Sequence, residues 1–198
     1  MTDQTKISFE NTEYAFAYKS DAELKKANFL FGFMGKPWLV NTALKLTPLA
    51  IKWHFPFTKT MIRQTIFKQF VGGETLAETA KVADKLEAYK VQVILDYGVE
   101  GKEGEENFEL ARDEFKRVID YAATQANIPF MSIKVTGFAR FSLLEKLDTD
   151  MHNSSGTLMK RYLNAVEKLS DTEKEEWHKV RLRMQQLCEA ADKKISGY

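Results

Sequence analysis

Two apolar runs, Val91–Glu100 (VQVILDYGVE) and Phe130–Thr136 (FMSIKVT), bracket a stretch of helical periodicity, and together they constrain the fold more than any other part of the chain. Each has the length expected of a strand covered on both faces, and each carries charge only toward its C-terminal end. Between them Phe108, Ala111, Phe115, Val118 and Ala122 recur at spacings of three and four, which places them on one helical stripe facing a sheet. The helix opens after Gly101 and Gly104, with Glu103, Glu105 and Glu106 near its positive end, and stops at Asn127-Ile128-Pro129. A strand, a crossover helix and a second strand predict parallel pairing with a right-handed connection.

Side chains alternate across a strand, so Gln92, Ile94, Asp96, Gly98 and Glu100 share one face and Val91, Val93, Leu95 and Tyr97 the other, unless Gly98 bulges and shifts the later phase. In the second run Phe130, Ser132, Lys134 and Thr136 fall on one side, while Met131, Ile133 and Val135 take the side where the helix would lie. In a β/α barrel the polar sets point inward, and Asp96, Glu100 and Lys134 reach the C-terminal mouth, where such barrels place their chemistry. A lysine within an apolar strand loses hydration unless it meets a carboxylate, so ligand binding and structural pairing both stay open for Lys134. For Glu100 the simple alternative is a solvated strand end.

Upstream, residues 1–20 read as an extended arm leading to a helix cap at Ser20-Asp21, and a helix follows from Ala22 to about Met34. Segment 38–57 is the most apolar part of the chain and reads as packed helix. The alternative is an interfacial membrane element, since Lys45, Lys52 and Lys59 accompany the aromatic residues, although Pro48 and Pro56 interrupt a long amphipathic face. Thr75-Leu-Ala-Glu78 and Ser170-Asp-Thr-Glu173 have the form of capping boxes. A helix follows each, the second with Trp177, Val180, Met184, Leu187 and Ala191 on its buried face. Shorter helices are expected at Phe141–Lys146 and Leu158–Leu169, separated by a polar turn.

Balanced charge, a net of +1 over 198 residues with 44% apolar, suits a packed core and gives no reason to expect nucleic-acid binding. The single cysteine, Cys188, excludes an internal disulfide and reads as a small core residue on a helix. Three scattered histidines offer no zinc spacing, and Asp148, Asp150 and His152 read as a solvated loop, so no metal is expected. Gly98, Gly101 and Gly104 are spaced as a turn rather than a dinucleotide fingerprint. No apolar stretch reaches the roughly 18–20 residues of a membrane span, and the N-terminus lacks a signal-peptide pattern, which makes the bacterial cytoplasm the expected location. The expected architecture is α/β: an incomplete (β/α)8 barrel, represented by its opening β-α-β unit over residues 74–198, behind a largely helical region, residues 1–73.

Three motifs in this order, Phe70–Thr75 (FVGGET), Leu95–Glu103 (LDYGVEGKE) and Met131–Gly137 (MSIKVTG), resemble the N-terminal half of proline dehydrogenase. In looser form the likeness extends over most of the chain, including Asn11–Ser20 and Asp21–Lys26, which look like the bacterial members. The resemblance implies a flavin (FAD) barrel that oxidises L-proline to Δ1-pyrroline-5-carboxylate and passes electrons to a quinone, with peripheral contact to the inner membrane allowed. By motif, Lys134 matches the lysine that contacts the substrate carboxylate, and Glu100 matches the glutamate that pairs with a substrate-binding arginine and helps gate the site. No residue is assigned a catalytic or flavin-binding role. The family's later aspartate, most of its flavin ligands and its C-terminal arginine pair have no counterpart here, so the chain is expected to be an incomplete portion, inactive alone. The other expectations weighed are a non-catalytic helical partner module and a different barrel enzyme sharing only the first β-α-β unit.

Overall fold

A computed structural model describes residues 10–98 and 102–195. They form two compact units, Met1–Val91 and Gln92–Tyr198. The helix Leu76–Glu87, which the sequence groups with the barrel portion, falls in the first.

The first unit is helical. Residues expected to be extended instead form α1 (Thr12–Phe16), because the Asn11 side chain accepts from the Glu13 amide and caps a turn. In α2 (Asp21–Met34) a complete capping box joins Ser20 and Glu23. The Ser20 amide and hydroxyl, with Lys85 nearby, hold the Glu23 carboxyl down at about 2. α3 (Pro37–Lys52) starts on proline, whose missing N–H is no loss at that position, and continues through Pro48. His54 and Phe57 then take left-handed backbone conformations, turning the chain into α4 (Thr58–Ile62), a π-helical turn Arg63–Phe67 and α5 (Lys68–Phe70). None of these elements buries a residue.

At α6 (Leu76–Glu87) the expected box is only half made. The Thr75 hydroxyl accepts from the Glu78 amide, while the Glu78 carboxylate takes the amide of Glu74 and the guanidinium of Arg63. That local fold has no room at Gly73, where a Cβ would stand 2.7 Å from Glu78 Cβ and 2.8 Å from the Thr79 nitrogen.

In the second unit β1 (Ile94–Asp96) and β2 (Phe130–Ser132) pair in parallel with Ile94 opposite Phe130, Leu95 opposite Met131 and Asp96 opposite Ser132. The ladder is shorter than either apolar run. Beyond Ser132 the chain turns into a 3-10 segment, Val135–Gly137, and Ile133 is exposed instead of facing the helix. The connecting helix α7 (Glu105–Ala122) begins on Gly104 at φ 110°, a conformation that favours glycine, and buries Phe108, Ala111, Phe115, Val118 and Ile119. Its stripe matches the periodicity except that Ile119 is buried beside Val118 and the expected Ala122 is only half-buried.

Behind the sheet lie α8 (Phe141–His152), α9 (Leu158–Glu167) and α10 (Asp171–Ile195). Phe115 is the centre of the core: Tyr97 and Phe138 meet it edge-on, each at 5.9 Å between ring centroids. Leu143 and Leu147 of α8 pack with Ala165 and Leu169 in a smaller cluster. The Ser170–Glu173 box forms as the sequence predicts. Lys146 and the Ser170 amide depress the Glu173 carboxyl to about 2.

Three expectations need correcting here. Cys188 is exposed, because α10 turns Val180, Arg183 and Leu187 inward and leaves position 188 outside. Met184 is likewise exposed, and Arg183 takes the inward place between Val180 and Leu187. Asp148, Asp150 and His152 lie on the last turns of α8, not in a loop.

Candidate functional site

The open face of the two-stranded sheet carries the candidate site. Alternation turns Leu95 and Met131 toward α7 and the core, so their neighbours Ile94, Asp96, Phe130 and Ser132 face the other way. Ile94 and Phe130 lie directly opposite each other and are 63% and 67% exposed. Asp96 and Ser132 form the next layer. Lys134 follows two residues on, in extended backbone (φ −103°, ψ 115°), which returns it to the face of Ser132. The face is thus graded along the strands, from apolar to charged.

Lys134 Nζ stands 3.0 Å from Asp96 Oδ2, so an ammonium just past the end of β2 and the carboxylate of its parallel neighbour β1 share the surface turned away from the helices. This is the arrangement expected from alternation. The two side chains are 37% and 50% exposed, and a pair this wet contributes about 0–1 kcal/mol to stability. Ser132 adds a hydroxyl in the same layer. Glu100 lies outside the described residues.

These residues alone do not make a flavin cradle. The face offers one paired lysine, one carboxylate and one hydroxyl over an apolar pair, and two clefts among the described residues lie elsewhere. One is lined by residues including Arg112, Lys116 and Gln186, the other by residues including Glu103, Arg140 and Glu176. Among the described residues no cluster of His, Cys, Asp and Glu is arranged to hold a metal ion.

One polar group of consequence escaped the sequence reading. Arg183 on α10 is 2% exposed and is held by Glu105, by Glu109 Oε1 at 2.7 Å and by the Phe138 carbonyl at 3.2 Å, over the Phe108 ring. It fastens the start of α7 and the end of the 3-10 turn to α10, behind the candidate face. Its signal was present: an arginine three residues after Val180 and four before Leu187, with Glu105 and Glu109 one turn apart on the partner helix.

No protein-family model matches the chain, and no solved structure matches it. Curated relatives do. It is 41% identical over 96 residues to the mitochondrial proline dehydrogenase 1 of Caenorhabditis elegans and 36% identical over 93 residues to that of Dictyostelium discoideum. These matches cover 48% and 46% of this chain but 15% and 16% of the relatives. A third, the carbapenem antibiotics biosynthesis protein CarD of Pectobacterium carotovorum, is 35% identical over 65 residues, which are 33% of this chain and 17% of that protein. Over the matched half of its length, the chain is a sequence relative of the proline dehydrogenase family.

Proposed function

We propose that this chain is an incomplete (β/α)8 barrel that supplies the opening β-α-β unit of an FAD-dependent proline dehydrogenase, the complete enzyme oxidising L-proline to Δ1-pyrroline-5-carboxylate and delivering electrons to a quinone. The observation that carries the reading is the Asp96–Lys134 pair on the open face, beside the exposed Ile94 and Phe130. Proline combines a carboxylate with an aliphatic ring, and this face presents an ammonium next to an apolar floor. Lys134 binds the carboxylate, and Asp96 is a positioning residue that keeps the ammonium aimed. Glu100, by its motif, pairs with a substrate-binding arginine contributed from outside these residues.

The flavin, which would accept the hydride, is held by other parts of the enzyme, since the residues on this face do not form its site. The matched share of the relatives, 15–16%, supports reading the chain as a portion that does not turn over alone. Cytoplasmic placement with peripheral membrane contact completes the proposal; among the described residues no helix is long and apolar enough to cross a membrane.

The test is to purify the chain, record its flavin absorbance and assay proline-dependent dye reduction. The assay is run with and without a polypeptide covering the part of the C. elegans relative that follows the matched segment. The expected result is no flavin and no turnover alone, with activity on complementation. Turnover by the 198 residues alone would overturn the portion reading, and inactivity of a folded, flavin-loaded complex would overturn the proline assignment.

A further inference from the structure

The connection that leaves β2 is tied to one side of α10. Arg140 and Glu176 form a bidentate pair at 3.0 and 2.8 Å, and seven residues further along the helix Arg183 reaches the Phe138 carbonyl at 3.2 Å. Phe138 is fully buried, and its own amide donates to the Val135 carbonyl at 3.0 Å. The Gly137 amide in turn donates to the carbonyl of Lys134 at 2.9 Å. A run of backbone hydrogen bonds therefore leads from the buried guanidinium to the residue that carries the ammonium.

The other member of the pair rests on the same core. Tyr97, next after Asp96, meets Phe115 edge-on, and Phe115 meets Phe138. The Arg183 guanidinium lies 5.5 Å from the centre of the Phe108 ring, two turns earlier on α7, and is gripped by Glu105 and Glu109 of that helix. What a guanidinium adds beyond volume is direction. Its planar fork holds several partners at fixed angles, whereas an apolar side chain would fill the space and leave the Phe138 carbonyl free to turn. Direction matters at the surface because Lys134 is long and its half-wet contact with Asp96 is too weak to fix it.

We infer that Arg183 is a positioning residue for the substrate. By holding the Phe138 carbonyl it fixes the turn Val135–Gly137, and the turn sets the direction in which Lys134 leaves the strand end, toward Asp96 and the carboxylate of proline. The arginine acts through Lys134 rather than on proline. This inference rests on the assignment of Lys134 to that carboxylate, and it adds α10 to a site otherwise built from the two strand ends.

Two variants separate direction from stability. Arg183→Met keeps most of the volume and loses the fork, while Leu147→Ala destabilises the same unit from the smaller α8–α9 cluster. In the complemented enzyme Arg183→Met should raise the KM for proline about fivefold with kcat within about twofold, and Leu147→Ala should move neither. Added to Lys134→Ala, Arg183→Met should raise KM no further, because its effect passes through an ammonium that is already gone. In the chain alone, the nuclear Overhauser contact between the Lys134 ε-methylene and the Asp96 β-methylene should persist in Leu147→Ala and vanish in Arg183→Met. Additive KM effects, an equal rise in Leu147→Ala, or a contact kept in Arg183→Met would overturn the inference. Should Lys134→Ala leave KM unchanged, the proline assignment falls, and the contact in the chain alone still decides whether Arg183 directs that ammonium.

Discussion

Truncating Arg183 to alanine tests whether the second unit is held by one buried cation. The Phe138 carbonyl, 3.2 Å from Nη1, would be left without its donor inside the core, which costs about 1–3 kcal/mol. Glu105 and Glu109 are nearly half exposed, so they rehydrate once the guanidinium is gone, and their contacts count as wet pairs of about 0.2–1 kcal/mol each. The missing stem also leaves a void against Phe108, adding about 1–2 kcal/mol. We expect a loss of about 3–5 kcal/mol from these three contributions together. Arg183→Met, which keeps most of the volume, should recover about 1–2 kcal/mol of it. The assay is urea unfolding followed through Trp177, which packs against this core, with Trp38 and Trp53 replaced by phenylalanine so that the first unit is silent. A loss under about 1 kcal/mol for Arg183→Ala would refute the reasoning, because it would equate this arginine with a surface one.

Other consequences are equally direct. Glu173 has a folded value of about 2 against an ordinary 4.5, so its contribution is fully present above pH 4.5 and disappears as pH falls toward 2; Glu173→Gln should flatten the acid limb of a stability–pH curve, and parallel curves would count against the Lys146 and Ser170 contacts as its source. Lys134→Ala should change the unfolding free energy by under about 1 kcal/mol, since its pair is wet, while weakening proline binding at least tenfold in the complemented enzyme with flavin retained; unchanged affinity would remove its assigned role. Gly73→Ala should destabilise the loop before α6 by about 1–3 kcal/mol, seen as faster amide exchange there, because its Cβ meets the Glu78 Cβ and the Thr79 nitrogen and not a flexible side-chain tip.

Where the sequence had a clean period, it located the parts. The stripe of α7 and the alternation of both strands were enough to put Asp96 and Lys134 on one surface, because a parallel register of Asp96 opposite Ser132 leaves Lys134 one step away on the same side. The strand ends were less legible. Val91 and Ile133 carry the right apolar character, but ladder pairing stops short of them. On α10 two readings of the helical phase differ by one residue, and hydrophobicity favoured Met184. The pair of glutamates on α7 selected Arg183 instead, an influence that arises only when two distant helices meet. The half-formed box at Thr75 has a similar cause: Glu78 can reach either the Glu74 amide or the capping residue's own, and Arg63 tips it toward the former.

The helices from Thr12 to Phe70 bury no residue, and this has a calorimetric consequence. Heat capacity and denaturant sensitivity both scale with the apolar area that unfolding brings into contact with water, and here much of that area is wet already. These helices should therefore melt broadly, with little curvature and a shallow urea slope, whereas the unit built around Phe115 gives way in a single sharp step.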